Sequence, residues 1–156
     1  MNTGINIRQA LFEDLDAIMK IENACFGSDA FSRHQMAYLI IRSKGVFLVA
    51  GHNDEIAGYM SFIISGRHNT GRIYSIAVSP SHRGAGTADI LMDKSIEYAL
   101  ESELKAIFLE VRTDNTAAIQ LYKKKGFTMH SIKQKYYSDG APAYSMVLRL
   151  QQHTRM

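Results

Sequence analysis

Residues 72–111 read RIYSIAVSPSHRGAGTADILMDKSIEYALESELKAIFLEV. Arg72 to Val78 is a β-branched and apolar run stopped by Pro80, which predicts a strand. From Thr87 to about Ser102 the small and apolar residues Ala88, Leu91, Met92, Ser95 and Ala99 recur at helical spacing. Ala106 to Val111 is apolar again, hence a second strand. Two strands joined through a helix pair in parallel, and the crossover is expected to be right-handed because that hand dominates. This is the core of an α/β fold, in which ligand sites lie at strand ends.

Upstream, Ile5 and Ile7 alternate with polar neighbours in a first strand, and Asp14 to Ala24 places Leu15, Ile18 and Met19 at helical spacing. Ser32 with Gln35 is a capping-box signature, opening a second helix with the apolar stripe Met36, Leu39 and Ile40. Val46 to Ala50 and Ile56 to Ile64 are strands of a hairpin turned by His52-Asn53-Asp54-Glu55, and Ser65 to Gly71 is a polar loop. Downstream, Asn115 to Lys125 is a helix stopped by Gly126, and Phe127 to Ile132 and Ala143 to Leu150 finish the sheet as antiparallel strands. The expected architecture is a mixed sheet of about six or seven strands with about four helices. Without repeat or linker, residues 1–150 read as one domain and 151–156, which include His153, as a polar tail.

The 156 residues are 46% hydrophobic and 21% charged, with one cysteine. A chain of this length buries about 68–70% of its unfolded surface, so its core needs neither metal nor disulfide. With a single cysteine, no leader-like segment and no apolar run of about 18 residues, the expected compartment is the cytoplasm and no membrane span is expected. Lys+Arg 18 against Asp+Glu 15 leaves a net charge of +3. That is too small and dispersed for a nucleic-acid binder but compatible with an anionic small ligand. Lys123-Lys124-Lys125 reads first as cations complementing a helix C-terminus, with a ligand-phosphate contact as the other reading. Cys25 has no visible His/Asp partner and reads as a small buried residue rather than an acyl-accepting nucleophile. The histidines show no metal-ligand spacing, so no metal is expected.

Ser81-His82-Arg83-Gly84-Ala85-Gly86-Thr87-Ala88 joins the strand to the helix. A glycine-rich turn entering a helix N-terminus presents amide donors and the positive end of a dipole to one spot, which suits a diphosphate. Arg83 would fix this turn or touch a phosphate. No lysine follows Gly86, as a nucleoside-triphosphate loop requires. Asp89 stands where the dinucleotide fingerprint Gly-x-Gly-x-x-Gly needs its third glycine. Arg83, Gly86 and Ala88 instead make Arg-x-x-Gly-x-Ala.

Phe108-Leu109-Glu110-Val111-Arg112 is followed by Asn115, Ala118, Ile119, Leu121, Tyr122 and Gly126-Phe127. Asn115, Ala118, Ile119 and Tyr122 share one helix face, so one ligand can touch both ends of the set. In the strand, Phe108 and Glu110 point opposite to Ile107, Leu109 and Val111. Together the two motifs resemble the GNAT N-acetyltransferases from about Arg72 to Met146, and within them the RimI-like branch that acetylates protein N-termini.

The resemblance implies the GNAT fold and acetyl-CoA as co-substrate. Arg83, Gly84, Ala85, Gly86, Thr87, Ala88 and Asp89 would clamp the pyrophosphate, with Asn115 and Ala118 as further cofactor contacts. Backbone N–H groups of Ile76, Ala77 and Val78 would polarise the thioester carbonyl and pair with the pantetheine arm as an added strand. Glu110 would take the ammonium proton, directly or through water, and Tyr122 would protonate the departing thiolate. An α-amine with pKa about 8 is roughly a tenth neutral at pH 7, whereas a lysine at about 10.4 is neutral about once in 2500 molecules, so an α-amine acceptor asks little of the base.

Acceptor choice is expected in the segment joining the first two helices and in the late hairpin, with Phe31, Tyr136 and Tyr137 as substrate contacts. Tyr136-Tyr137-x-Asp139-Gly140 is similar to the family's Tyr-Tyr-x-Asp-Gly ending, although Ala141-Pro142 replaces its usual acidic pair. Phe26-Gly27-Ser28-Asp29-Ala30-Phe31-Ser32 replaces the Phe-Pro-Trp-Ser stretch common in the branch. The expected activity is direct acetyl transfer to an amine, preferably a protein or peptide α-amine, by a monomer or homodimer. A small-molecule amine acceptor and a non-catalytic acyl-CoA-binding module are the alternatives.

Overall fold

The computed structural model describes residues 4–150. The polar tail expected over 151–156, His153 included, lies outside the described residues. The elements are β1 (Ile5–Gln9), α1 (Leu15–Phe26), α2 (Arg33–Ile41), β2 (Gly45–His52), β3 (Glu55–Ser65), β4 (Thr70–Val78), α3 (Thr87–Glu101), β5 (Ala106–Arg112), α4 (Thr116–Lys124), β6 (Thr128–Lys133) and β7 (Ala143–Arg149). The seven strands form one mixed sheet in the order β1-β2-β3-β4-β5-β7-β6. None of the described helices is long and apolar enough to cross a membrane.

Local signals explain most boundaries. Ser32 Oγ accepts the Gln35 N–H at 3.1 Å while Gln35 Oε1 accepts the Ser32 N–H at 2.8 Å, the reciprocal box that opens α2. The β2–β3 hairpin turns through Asn53 and Asp54 at φ +53° and +64°, the left-handed pair that matches strand twist. The larger departures from the sequence reading lie at the end of α1 and in the loop after β3. The helix α1 continues to Phe26, because nothing breaks it before Gly27 at φ +54°. The polar loop shrinks to residues 66–69, because β3 runs to Ser65 and β4 begins at Thr70; pairing across the hairpin outweighs the polarity of the side chains.

The described residues separate into two compact units, one within 1–63 and 74–91, the other within 64–73 and 92–156. The strand β4 and the helix α3 contribute residues to both units. In the first unit, Leu15 and Ile18 of α1, Met36 of α2, Phe47 and Val49 of β2 and Tyr59 of β3 form one buried cluster. The Phe47 and Tyr59 rings stack at 5.8 Å within it. Arg8 holds Asp14, just before α1, through a pair of hydrogen bonds at 2.7 and 2.9 Å.

In the second unit, β4 pairs in parallel with β5 through Thr70↔Ala106, Gly71↔Ile107 and Arg72↔Phe108, as a crossover helix requires. The strand β7 lies antiparallel between β5 and β6. Along β5, Ile107, Leu109 and Val111 are buried, while Phe108, Glu110 and Arg112 are partly exposed, the alternation the sequence predicts.

Candidate active site

The first unit carries the glycine-rich loop between β4 and α3. A short 3-10 turn at Pro80–His82 ends β4's run, and Gly84 and Gly86 then adopt φ +88° and +82° before α3 begins. A Cβ at either glycine would meet nothing within 4 Å, so the left-handed backbone, not crowding, requires glycine there, and the space above the loop is open. The first intrahelical bond runs from the Ile90 N–H to the Gly86 carbonyl at 3.1 Å, which leaves the amides of Thr87 and Ala88 without an intrahelical acceptor. Thr87 is buried, and its hydroxyl has no hydrogen-bond partner among the described residues. A buried hydroxyl beside helix N-terminal amides is chemically suited to a phosphate oxygen.

Arg83 reaches back to the end of β4 and to α1. Its Nε donates to the Val78 carbonyl at 3.3 Å, and its guanidinium reaches Cys25 Sγ at 3.5 Å. Cys25 Sγ also donates to the Val78 carbonyl at 3.6 Å and is half-buried. Ala77 belongs to the buried cluster, while Ile76 and Val78 are partly exposed. Asp89 sits in the first turn of α3.

In the second unit Glu110 is held by two cations. Arg72 donates a short hydrogen bond to Oε1, and Lys133 Nζ lies 3.1 Å from Oε2. Burial works to raise the Glu110 pKa, but the hydrogen bonds and charges of Arg72 and Lys133 outweigh it and hold the carboxyl below its ordinary value. Glu110 is therefore ionised at neutral pH and only weakly basic.

Asn115 caps α4, its side-chain oxygen accepting the Ala118 N–H at 3.2 Å. The oxygen is thus spent on the helix, and the two predicted cofactor contacts also position one another. Tyr122 is 7% exposed. Burial first, and Tyr137 second, push its phenol up to about 12, so it keeps its proton throughout the physiological range. The Lys123–Lys125 run closes α4, and Lys125 pairs with Asp93 at 2.8 Å, which favours the structural reading of that residue.

Tyr136 and Tyr137 lie T-shaped with centroids 4.9 Å apart. Their backbone N–H groups both donate to the Ala141 carbonyl at 3.1 Å, and the Gly140 N–H returns to the Tyr137 carbonyl at 2.9 Å. Arg112 lies 5.1 Å over the Tyr137 ring, and Lys133 5.7 Å over that of Tyr136. Arg112 also binds Asp139 at 2.8 Å. The motif's aspartate therefore fastens the turn to β5 and leaves half-exposed rings outside it.

Phe31 of the first unit is half-buried against the hydrophobic cluster. Its backbone N–H donates to Glu22 Oε2 at 2.9 Å. Arg72 and Lys133 hold Glu110, Arg112 holds Asp139 and Glu22 accepts from Phe31, and sequence reasoning singled out none of these four. Strand parity put Glu110 on the mixed face, but its cationic partners depend on the β4-β5-β7-β6 order, which no local pattern reveals.

Residues 15–127 match the acetyltransferase (GNAT) family. The chain is 33% identical over 159 residues to the N-alpha-acetyltransferase of Sulfurisphaera tokodaii, with 92% of each chain covered. It shares its fold with the ribosomal-protein-S18-alanine N-acetyltransferase of Escherichia coli at a TM-score of 0.86, 24% identity and 96% coverage of both chains. It also shares it with yncA of Salmonella typhimurium, solved with its cofactor acetyl-CoA, at a TM-score of 0.79, 22% identity and 97% coverage of both chains. The chain belongs to the GNAT acetyltransferase family, and its activity is that of an acetyl-CoA-dependent N-acetyltransferase.

Proposed function

We propose that the enzyme acetylates the α-amine of a protein or peptide N-terminus. The observation that carries this is the rigid turn presenting Tyr136 and Tyr137, half-exposed aromatic rings suited to a peptide backbone, in a chain of which 92% aligns with an N-alpha-acetyltransferase. Acetyl-CoA supplies the acetyl thioester. The amides of residues 83–89 and the Thr87 hydroxyl bind its diphosphate, Arg83 holds the loop in shape, and the backbone of Ile76, Ala77 and Val78 pairs with the pantetheine arm. Asn115 and Ala118 contribute through the cap of α4. We treat residues 1–150 as one catalytic domain because the family match runs across both units. The single cysteine supports a reducing, cytoplasmic setting.

On the acceptor side, Glu110 serves as an ionised hydrogen-bond acceptor. With its pKa held down by Arg72 and Lys133, it orients the amine or an intervening water and accepts a proton only in passing. This suffices for an α-amine, of which roughly a tenth is already neutral at pH 7. Tyr122 holds its proton and offers it to the leaving sulfur.

The test is thiol release from acetyl-CoA with a panel of amines. Peptides with free N-termini are expected to be acetylated, and the same peptides blocked at the N-terminus but carrying lysine are not. Turnover only with polyamines, amino acids or antibiotics would replace the peptide reading, and CoA binding without turnover on any amine would leave a binding module.

A further inference from the structure

We infer that Glu22 is a positioning residue for the acceptor: its buried carboxylate anchors the α1–α2 connector through the Phe31 amide and so sets the wall against which the peptide lies. This rests on the reading of Phe31 as an acceptor contact. Glu22 is 2% exposed. A carboxylate in such a place is costly unless each oxygen is hydrogen-bonded. Here three donors converge on it from separate elements. The Phe31 N–H donates to Oε2 at 2.9 Å, the Ser75 hydroxyl of β4 donates to Oε1 at 3.0 Å, and the Tyr59 hydroxyl of β3 makes a short bond to Oε1. Burial, together with the carboxylate beside it, pushes the Tyr59 phenol far above its ordinary pKa, so that hydroxyl stays a donor.

A carboxylate only accepts, which fixes the sense of every bond in this cluster. The hydroxyls of Tyr59 and Ser75 can rotate to serve another partner. The Phe31 N–H cannot, because it is backbone. Glu22 therefore ties the connector to two adjacent strands, and the connector's half-buried phenylalanine is the part of it that packs on the same cluster. Glutamine at position 22 can turn its oxygen to Phe31 and its NH2 to the two hydroxyls, preserving the anchor. Leucine cannot.

The test is steady-state kinetics with an N-terminal peptide and acetyl-CoA varied in turn. Glu22→Leu is expected to raise the peptide KM about tenfold, the value of one lost buried hydrogen bond, and to change the acetyl-CoA KM less than about twofold. Glu22→Gln is expected to return the peptide KM to within about threefold of the wild type. Ser75→Ala, which weakens the cluster without touching the connector, is expected to lower the melting temperature and leave the peptide KM unchanged. A peptide KM that rises equally in Ser75→Ala, or both KM values rising together in Glu22→Leu, reduces Glu22 to a packing role and overturns the inference. Should Glu22→Leu fail to fold, hydrogen exchange on the wild type decides. The Phe31 amide is expected to exchange as slowly as the interior amides of α1, and fast exchange refutes the anchor. Phe31→Ala separates the two layers. An unchanged peptide KM there overturns both the acceptor wall and the inference, whereas a raised one beside a silent Glu22→Leu overturns the inference alone.

Discussion

Tyr122→Phe removes one hydroxyl from a ring that is otherwise fully used in packing, with Phe127 6.0 Å away. With the phenol at about 12 and a thiol near 8.5, complete proton transfer to the free thiolate is uphill by ~3.5 pKa units, or ~5 kcal/mol. The hydroxyl is therefore worth most as a hydrogen bond to sulfur while negative charge accumulates there. Such a bond to a charged group contributes about 1.5–3 kcal/mol, which corresponds to a loss of roughly 10–150-fold in kcat. The dissociation constant of CoA should move less than about twofold, since the ring and its packing remain. The assay is thiol release from pH 6 to 10 beside calorimetric titration with CoA. Because the phenol stays protonated below pH ~10, the wild type should show no basic limb from Tyr122 in this range. A loss in kcat under about threefold would refute the reasoning, as would a wild-type basic limb near pH 9 that vanishes in the variant.

Glu110→Gln should lower kcat while leaving the shape of the acid limb unchanged above pH ~5, because Arg72 and Lys133 hold the wild-type carboxyl ionised there; an acid limb near pH 6–7 present only in the wild type would show instead that Glu110 titrates as the base. Gly86→Ala should lose about 1–2 kcal/mol of stability from forcing a Cβ into φ +82° and bind CoA more weakly, and unchanged CoA affinity by titration would remove the loop from the clamp. Asp14→Asn should cost about 1 kcal/mol in urea unfolding at pH 7, a value discounted because Arg8 is 42% exposed. The hydrogen bonds from Arg8, chiefly, hold the Asp14 pKa below its ordinary value, so its contribution is present above the unfolded pKa near 3.9 and disappears as pH falls through the lower folded value. A gap between Asp14→Asn and wild type that survives unchanged at pH 2 would contradict this.

The parts of the site that depend on neighbours along the chain were legible before any coordinates. Helical periodicity put Ala118 and Tyr122 on one face of α4, and the glycines at 84 and 86 announced a turn entering α3, where both adopt positive φ. The capping box at Ser32 and the Asn53-Asp54 turn are likewise bonds between residues a few positions apart. What tertiary structure decided was the company each side chain keeps. Glu110 met Arg72 across 38 residues of sequence because β4 pairs in parallel with β5, and Lys133 across 23 because β7 enters the sheet between β5 and β6. Glu22 met Tyr59 and Ser75 across 37 and 53 residues. Periodicity and turn chemistry are properties of a short stretch of backbone, so the sequence alone determines them. Whether a carboxylate acts as a base or as an anchor depends on the charges and donors that strand order brings to it, and these exist only once the chain has folded.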